Sequence, residues 1–241
     1  MNFFKTGKMT KLFLASFGLL LSIFSLAQGN KKKEGLSNNH PAILFNGKNL
    51  DGWYTFMQTK GKGNDPDKVF LVENGLLHIS GKEFGYIATE KTYRNFKLVA
   101  EFKWGVKKYP PRDADTTKRD NGICYYFSKN EEDKVWPKSL ECQIQEGDVG
   151  DLWLIDSTTA LVNGKRTKPE AFARVVKKVD AENPTGQWNR VEVIAARGKI
   201  KYIVNGKTVN EFQDPSVSEG KILIQSEGAE IYYRKIEITE L

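Results

Sequence analysis

Cysteine, histidine and helical periodicity are all scarce in this chain of 241 residues. Two cysteines and two histidines are too few for a multi-histidine zinc centre. His40 lies in a polar stretch and His78 on a strand-like run, where a satisfied structural histidine is the plainer reading. The nucleophile-elbow, phosphate-loop and dinucleotide glycine patterns are missing as well. Cys124 and Cys142 each sit inside an apolar strand-like run. They read as buried thiols acting as small hydrophobes. A disulfide would need matching distance and direction as well as an oxidising compartment. A large excess of one charge is also lacking. Of the net charge of +7, three positive charges come from Lys5, Lys8 and Lys11, and two more from Lys31–Lys33 set against Glu34. The body from His40 onward is nearly neutral, so no basic face speaks for nucleic-acid binding.

What is present begins with an export signal. The basic start is followed by an apolar run from Leu12 to Leu26, and Ser25 and Ala27 take the small-residue positions before a signal-peptidase cut. The run falls short of the roughly 20 apolar residues of a membrane span, and no cysteine follows Ala27 to carry a lipid anchor. The expected organisation is a signal peptide over 1–27, a Gly/Asn/Ser-rich linker over 28–40 and one domain over 41–241. The protein is expected to be periplasmic or secreted, with no membrane span once the signal is cleaved.

Short alternating runs rich in Val, Ile, Tyr and Phe fill the rest. They include Phe96–Trp104, Gly122–Phe127, Leu140–Gln145, Arg190–Ala196, Ile222–Gln225 and Ile231–Ile238. Asn74-Gly75, Arg197-Gly198 and Asn205-Gly206 separate pairs of such runs and predict tight hairpins. A dozen or so strands joined this way predict an all-β sandwich of two stacked antiparallel sheets. Two segments break the pattern. Val106–Asn121 is a long charged loop, either functional or a tolerated insertion. Leu161–Thr185 is mixed and has room for one short helix.

Ser139–Trp153 (SLECQIQEGDVGDLW) is the most informative stretch. Alternation sets Glu141, Gln143 and Gln145 on one face and Cys142 and Ile144 on the other. The same rule sets Glu101 and Lys103 opposite Phe102 and Trp104. If both strands line one concave sheet, Glu101, Lys103, Glu141 and Gln143 converge in a groove. Carboxylates, amides and a lysine together suit sugar hydroxyls, and crowding raises a carboxylate's pKa toward proton-transfer use. The alternative is an ordinary solvated sheet face. Trp136 and Trp153 flank the acidic segment and could stack on a pyranose ring, whereas Trp53, Trp104 and Trp188 read as core. Arg112 and Arg119 could reach over the groove from the long loop. Glu146, Asp148 and Asp151 could hold Ca²⁺ through oxygen ligands, although EGDVGD does not match an EF-hand loop.

Eight segments in order resemble the 3-keto-disaccharide hydrolase domain family. They are LFNGKNLDGW, VENGLLHISG, GYIATEKTYRNFKLVAEFKW, NGICYYF, LECQIQEGD, GQWNRVEV, IKYIVNG and GKILIQSEGAEIYYRKIEI, covering nearly all of 43–241. The resemblance implies a concanavalin-A-like jelly roll acting on an oligosaccharide or glycoside whose C3 hydroxyl an upstream sugar oxidoreductase has made a ketone. It also implies cleavage by C2 proton abstraction, elimination and hydration. Glu141 and Gln143 match the family's Glu-x-Gln strand, and Glu101 and Lys103 its Glu-Phe-Arg/Lys strand. On this basis Glu141 is expected as general base, with Gln143 and Lys103 on the keto oxygen and Glu101 or Asp148 as proton carrier or metal ligand. Tyr126 stands where the family often has arginine and is expected against substrate. A non-catalytic, lectin-like carbohydrate-binding module is the alternative.

Overall fold

The computed structural model describes residues 40–241; the expected signal peptide and the linker up to residue 39 lie outside them. In chain order the described strands are β1 (Ala42–Ile43), β2 (Trp53–Met57), β3 (Gly61–Lys62), β4 (Phe70–Glu73), β5 (Leu76–Ile79) and β6 (Gly85–Thr89). The long β7 (Phe96–Lys108) precedes β8 (Gly122–Phe127), β9 (Ser139–Gln143), β10 (Leu152–Ile155), β11 (Leu161–Val162), β12 (Lys165–Arg166) and β13 (Phe172–Val175). The chain ends in β14 (Asn189–Ala196), β15 (Lys199–Val204), β16 (Lys207–Gln213), β17 (Lys221–Ser226) and β18 (Ala229–Glu240). There is no helix among the described residues. The short helix expected within Leu161–Thr185 is replaced by three short edge strands, since Pro169 and Pro184 leave little room for a continuous turn ladder.

Two antiparallel sheets result. One has ten strands in the order β12-β11-β16-β15-β14-β7-β18-β5-β4, with β1 also on β18. The other has eight, β13-β10-β9-β8-β17-β6-β2-β3. The three expected hairpins form; at the first, Asn74 and Gly75 both take positive φ, 50° and 77°, as a two-residue turn of primed type requires.

The inner faces meet in one apolar core. Phe102, Trp104, Val191, Val193 and Tyr202 of the ten-stranded sheet pack with Ile123, Leu140, Cys142, Ile222 and Ile224 of the eight-stranded one. Tyr125 and Tyr202 share a 2.6 Å hydroxyl hydrogen bond across the layers, which satisfies two buried polar atoms at once. Both cysteines are free and buried. Because Cys124 pairs in register with Glu141 and Cys142 with Ile123, the thiols point to opposite faces of the sheet, away from each other.

Alternation leaves a second apolar cluster on the outer face of the eight-stranded sheet: Tyr54, Tyr86, Ala88, Cys124, Phe127, Ile155 and Leu223, flanked by Phe56 and Trp153. An outer face of an antiparallel sheet ordinarily meets water. Here the chain itself covers it. Asp133, in the β8–β9 loop, accepts hydrogen bonds from Tyr54 (2.8 Å) and Tyr86 (2.5 Å) and pairs with Lys62 at 3.0 Å. The loop is thereby pinned over one side of the face.

Candidate active site

The site is built on that covered face. β9 presents Glu141 and Gln143, β8 presents Gly122 and Cys124, and β17 presents Leu223 and Gln225, all by strict alternation. The Glu141 carboxyl and the Gln225 amide meet over Gly122, where a Cβ would collide with an oxygen of each. Glycine is what lets two polar side chains share that space. Just past β17, Glu227 is 7% exposed and accepts a 2.5 Å hydrogen bond from the Trp136 indole. From the long loop comes Asp120, 4% exposed, paired with Arg112 and accepting 2.7 Å from the Gln145 amide.

Three carboxyl groups thus share a dry region with a single arginine. Burial, followed by the charges of Glu227 and Asp120, pushes Glu141 well above the ordinary carboxylate range. No hydrogen bond reaches its carboxyl among the described residues, so nothing there favours the ionised form. Burial and the charge of Asp120 push Glu227 up to about 7, against the indole hydrogen bond and Arg112. Asp120 is pushed up to about 6, burial outweighing its arginine. Near neutrality this group holds at least one proton and at least one charge, the condition for acid and base work in one place. Spare hydrogen-bonding capacity collects here too. Among the buried polar atoms without a partner are Arg112 Nε, Asp120 Oδ1, Trp153 Nε1 and Gln225 Oε1.

Several expected members belong elsewhere. Glu101 and Lys103 lie on β7, in the other sheet, and do not converge with Glu141. Phe102 and Cys142 both point into the core between the sheets, so their neighbours in sequence point outward on opposite sides of the molecule. Glu101 is held by Arg190 at 3.1 Å and Arg234 at 2.7 Å, and Lys103 lies 5.2 Å over the Trp188 ring. Trp188 is therefore no core residue; it is stacked between Lys103 and Arg234. Tyr126 also leaves the site: with positive φ of 65° it turns inward onto Phe96 and donates 2.7 Å to the Arg94 carbonyl. Arg119 is spent on Glu146 (3.1 Å) and the Gly105 carbonyl (3.2 Å) rather than reaching over the groove.

The three acids expected around Ca²⁺ do not form a cage. Glu146 is taken by Arg119, Asp148 by Lys118 (2.7 Å) and Arg174 (3.0 Å), and Asp151 by Arg174 and the Lys177 amide. Among the described residues no set of three His, Cys, Asp or Glu side chains is placed to hold a metal ion. Their carboxylates face cations already in the chain, which removes the repulsion that a bound ion would otherwise relieve.

Gln143 stays on the Glu141 face, but its amide oxygen accepts from the Ile144 (2.8 Å) and Gln145 (3.1 Å) amides, leaving only its NH₂ to turn outward. Trp153 lies directly across from Glu141 on β10, and Trp136 touches Glu227; both expected tryptophans are thus beside the acids. Three members were not anticipated: Asp120, Gln225 and Glu227. A signal for two of them is in the sequence, since Gln225 and Glu227 close an apolar run with the same polar alternation as Glu141 and Gln143.

Residues 41–239 match the 3-keto-alpha-glucoside-1,2-lyase-like domain. The chain belongs to this family. Among solved structures, two of a protein from Parabacteroides distasonis ATCC 8503 with a proposed glycosyl hydrolase activity are similar. One has TM-score 0.59 at 21% identity, covering 83% of this chain and 94% of that one. The other has TM-score 0.57 at 22% identity, covering 84% and 100%. The Bacillus licheniformis beta-glucanase is similar at TM-score 0.53 and 12% identity, over 85% of this chain and all of that one. Among curated proteins none matches. The fold is the concanavalin-A-like jelly roll of these glycosyl hydrolases, and the family's carbohydrate-directed domain makes up nearly all of the described chain.

Proposed function

We propose that the protein cleaves the glycosidic bond of 3-keto-glycosides by elimination and hydration, the substrate being supplied by a sugar oxidoreductase that turns the C3 hydroxyl into a ketone. The observation that carries this reading is the buried group of Glu141, Glu227 and Asp120 with one arginine among them. A C3 ketone acidifies the C2 proton, so the reaction needs a base of near-neutral pKa and a donor for the oxygen that becomes an enolate. Glu227 fits the base, with the Trp136 N–H to stabilise its ionised form. No hydrogen bond reaches the Glu141 carboxyl among the described residues, and burial with the charges of Glu227 and Asp120 pushes it well above the ordinary carboxylate range; as a carboxylic acid it donates to the C3 oxygen. The base role expected of Glu141 thus passes to Glu227.

The steps balance. Glu227 takes the C2 proton and the enolate forms at C3. The electrons return through C2 to form the C1–C2 double bond, and the C1–O bond breaks. Glu227 gives its proton to the departing oxygen. Water then adds its oxygen to C1 and a proton to C2, leaving the free 3-keto sugar. Gln225 and Arg112 have the spare polar atoms to bind sugar hydroxyls.

The test is release of the aglycone from a C3-oxidised glucoside and from its unoxidised parent. Only the oxidised substrate should react. Glu141→Gln, whose amide still donates a hydrogen bond, should stay within about tenfold of wild type, and Glu141→Ala should lose about 10²-fold or more. Turnover of the parent glucoside alone would mean ordinary acid–nucleophile hydrolysis. A binding-only protein would turn over neither, and its glycan affinity would survive Glu227→Gln.

A further inference from the structure

Beside Glu227, the Trp136 ring also forms the wall of a cavity of about 290 Å³. Its other walls are Val135, Ile155, Ala171 and Phe172. Trp136 and Phe172 meet edge to face, 5.9 Å between centroids at 89°. They remain 38% and 50% exposed, an unusual degree for two large rings already in contact. Lys134 and Asp156 also line the cavity, but they neutralise one another at 2.6 Å, so no free charge is left there to recognise a polar ligand. Ile155 is two residues along β10 from Trp153, so the cavity continues the face on which Glu141 stands.

We propose that this cavity is the aglycone subsite and that it selects planar, aromatic aglycones. The proposal rests on the reaction assigned above. One indole separates the cavity from the base: the Trp136 nitrogen touches Glu227 while its ring lines the hollow. The glycosidic oxygen that leaves from C1 stands next to the C2 proton which Glu227 removes, so the group it carries must lie within one ring's width of that carboxyl. An apolar cavity of roughly 150 Å³ already accepts a benzene, and this one has room for a ring and its substituents. Aromatic walls at right angles offer both an edge and a face to an incoming ring. A second sugar would find the Lys134–Asp156 ion pair as its one side-chain polar partner on walls that are otherwise apolar.

Benzyl and methyl 3-keto-glucosides test the subsite, because their leaving alcohols are nearly equally acidic and differ mainly in the ring. Wild type should favour the benzyl substrate in kcat/KM by about tenfold or more. Phe172→Ala, at an exposed edge-strand position, should remove most of that preference and leave the methyl substrate within about twofold. Ala171→Trp, which fills the hollow, should do the same. Equal turnover of the two substrates by wild type, or an equal loss on both in the variants, overturns the subsite. If neither substrate reacts, quenching of tryptophan fluorescence by unoxidised benzyl glucoside separates the two claims. Saturable quenching that disappears in Phe172→Ala keeps the subsite while the reaction fails, and no quenching removes both.

Discussion

The two outer faces of this sandwich both carry acids and treat them in opposite ways. On the ten-stranded sheet the acids of β7, β14 and β16 sit against cations in contact with water. Glu101 lies between Arg190 and Arg234, Glu192 between Lys97 and Arg190, and Glu211 beside Lys201. Burial is partial there, and the arginine and lysine partners win: Glu101 and Glu192 are held below the ordinary carboxylate range. Over the eight-stranded sheet three acids stand close together, Arg112 pairs with Asp120 among them, burial is nearly complete, and all three are pushed upward. The same alternation of polar residues therefore yields a solvated lattice on one side and a proton-exchanging group on the other. What differs is the cover: the β7–β8 and β8–β9 loops bring Asp120, Arg112 and Trp136 over the face that carries Glu141.

The largest effect should come from removing the base. Glu227→Gln should lower kcat/KM on a 3-keto-glycoside by about 10³-fold, while Glu101→Gln, on the opposite face, should leave it within about twofold. A comparable loss in both would erase the distinction between the faces. Next in size is Gly122→Ala, which alters no titratable group. Its Cβ would displace the Glu141 carboxyl and Gln225 amide, and a misplacement of this kind costs about 10²-fold in rate. Circular dichroism should show the fold retained; an active variant would mean that the two groups need not meet.

Stability should sharpen the contrast further. Glu227 has a folded-state pKa of about 7 against about 4.3 when unfolded. Its contribution to stability is fully present below about pH 4 and is lost as pH rises through 7. Glu227→Gln should therefore melt several degrees above wild type at pH 8, with the gap closing near pH 5. The acid limb of kcat/KM should likewise fall near pH 7 and disappear with the base. The smallest effect belongs to the outer lattice. Glu101→Gln should cost well under about 1 kcal/mol, most visibly above pH 4, where its lowered pKa makes the ionised form stabilising, and less so at high salt.

Much of the fold was legible before the structure. Asn74-Gly75, Arg197-Gly198 and Asn205-Gly206 mark hairpins because their turns need residues that tolerate positive φ. The strand at Gly122–Phe127 reads directly from its Ile and Tyr content. Part of the site was legible as well: Glu141 and Gln143 stand on a covered face, with Trp136 and Trp153 beside them. Glu101 was misplaced because periodicity states which side of a strand is polar and says nothing of the sheet to which the strand belongs. Tyr126 was misplaced because a positive φ within β8 turns its side chain onto the other face, a local break that alternation does not foresee.

The sequence alone settled the two-sheet architecture, the turns and the presence of polar rows along particular strands, because each depends on contacts between near neighbours. Only the tertiary structure decided which rows are wet and which are dry. That choice depends on strand order across the two sheets and on where two loops come to rest, contacts made between residues far apart in the chain. It is the same choice that makes Glu101 a surface ion-pair partner and Glu227 a group able to take up and release a proton near neutrality.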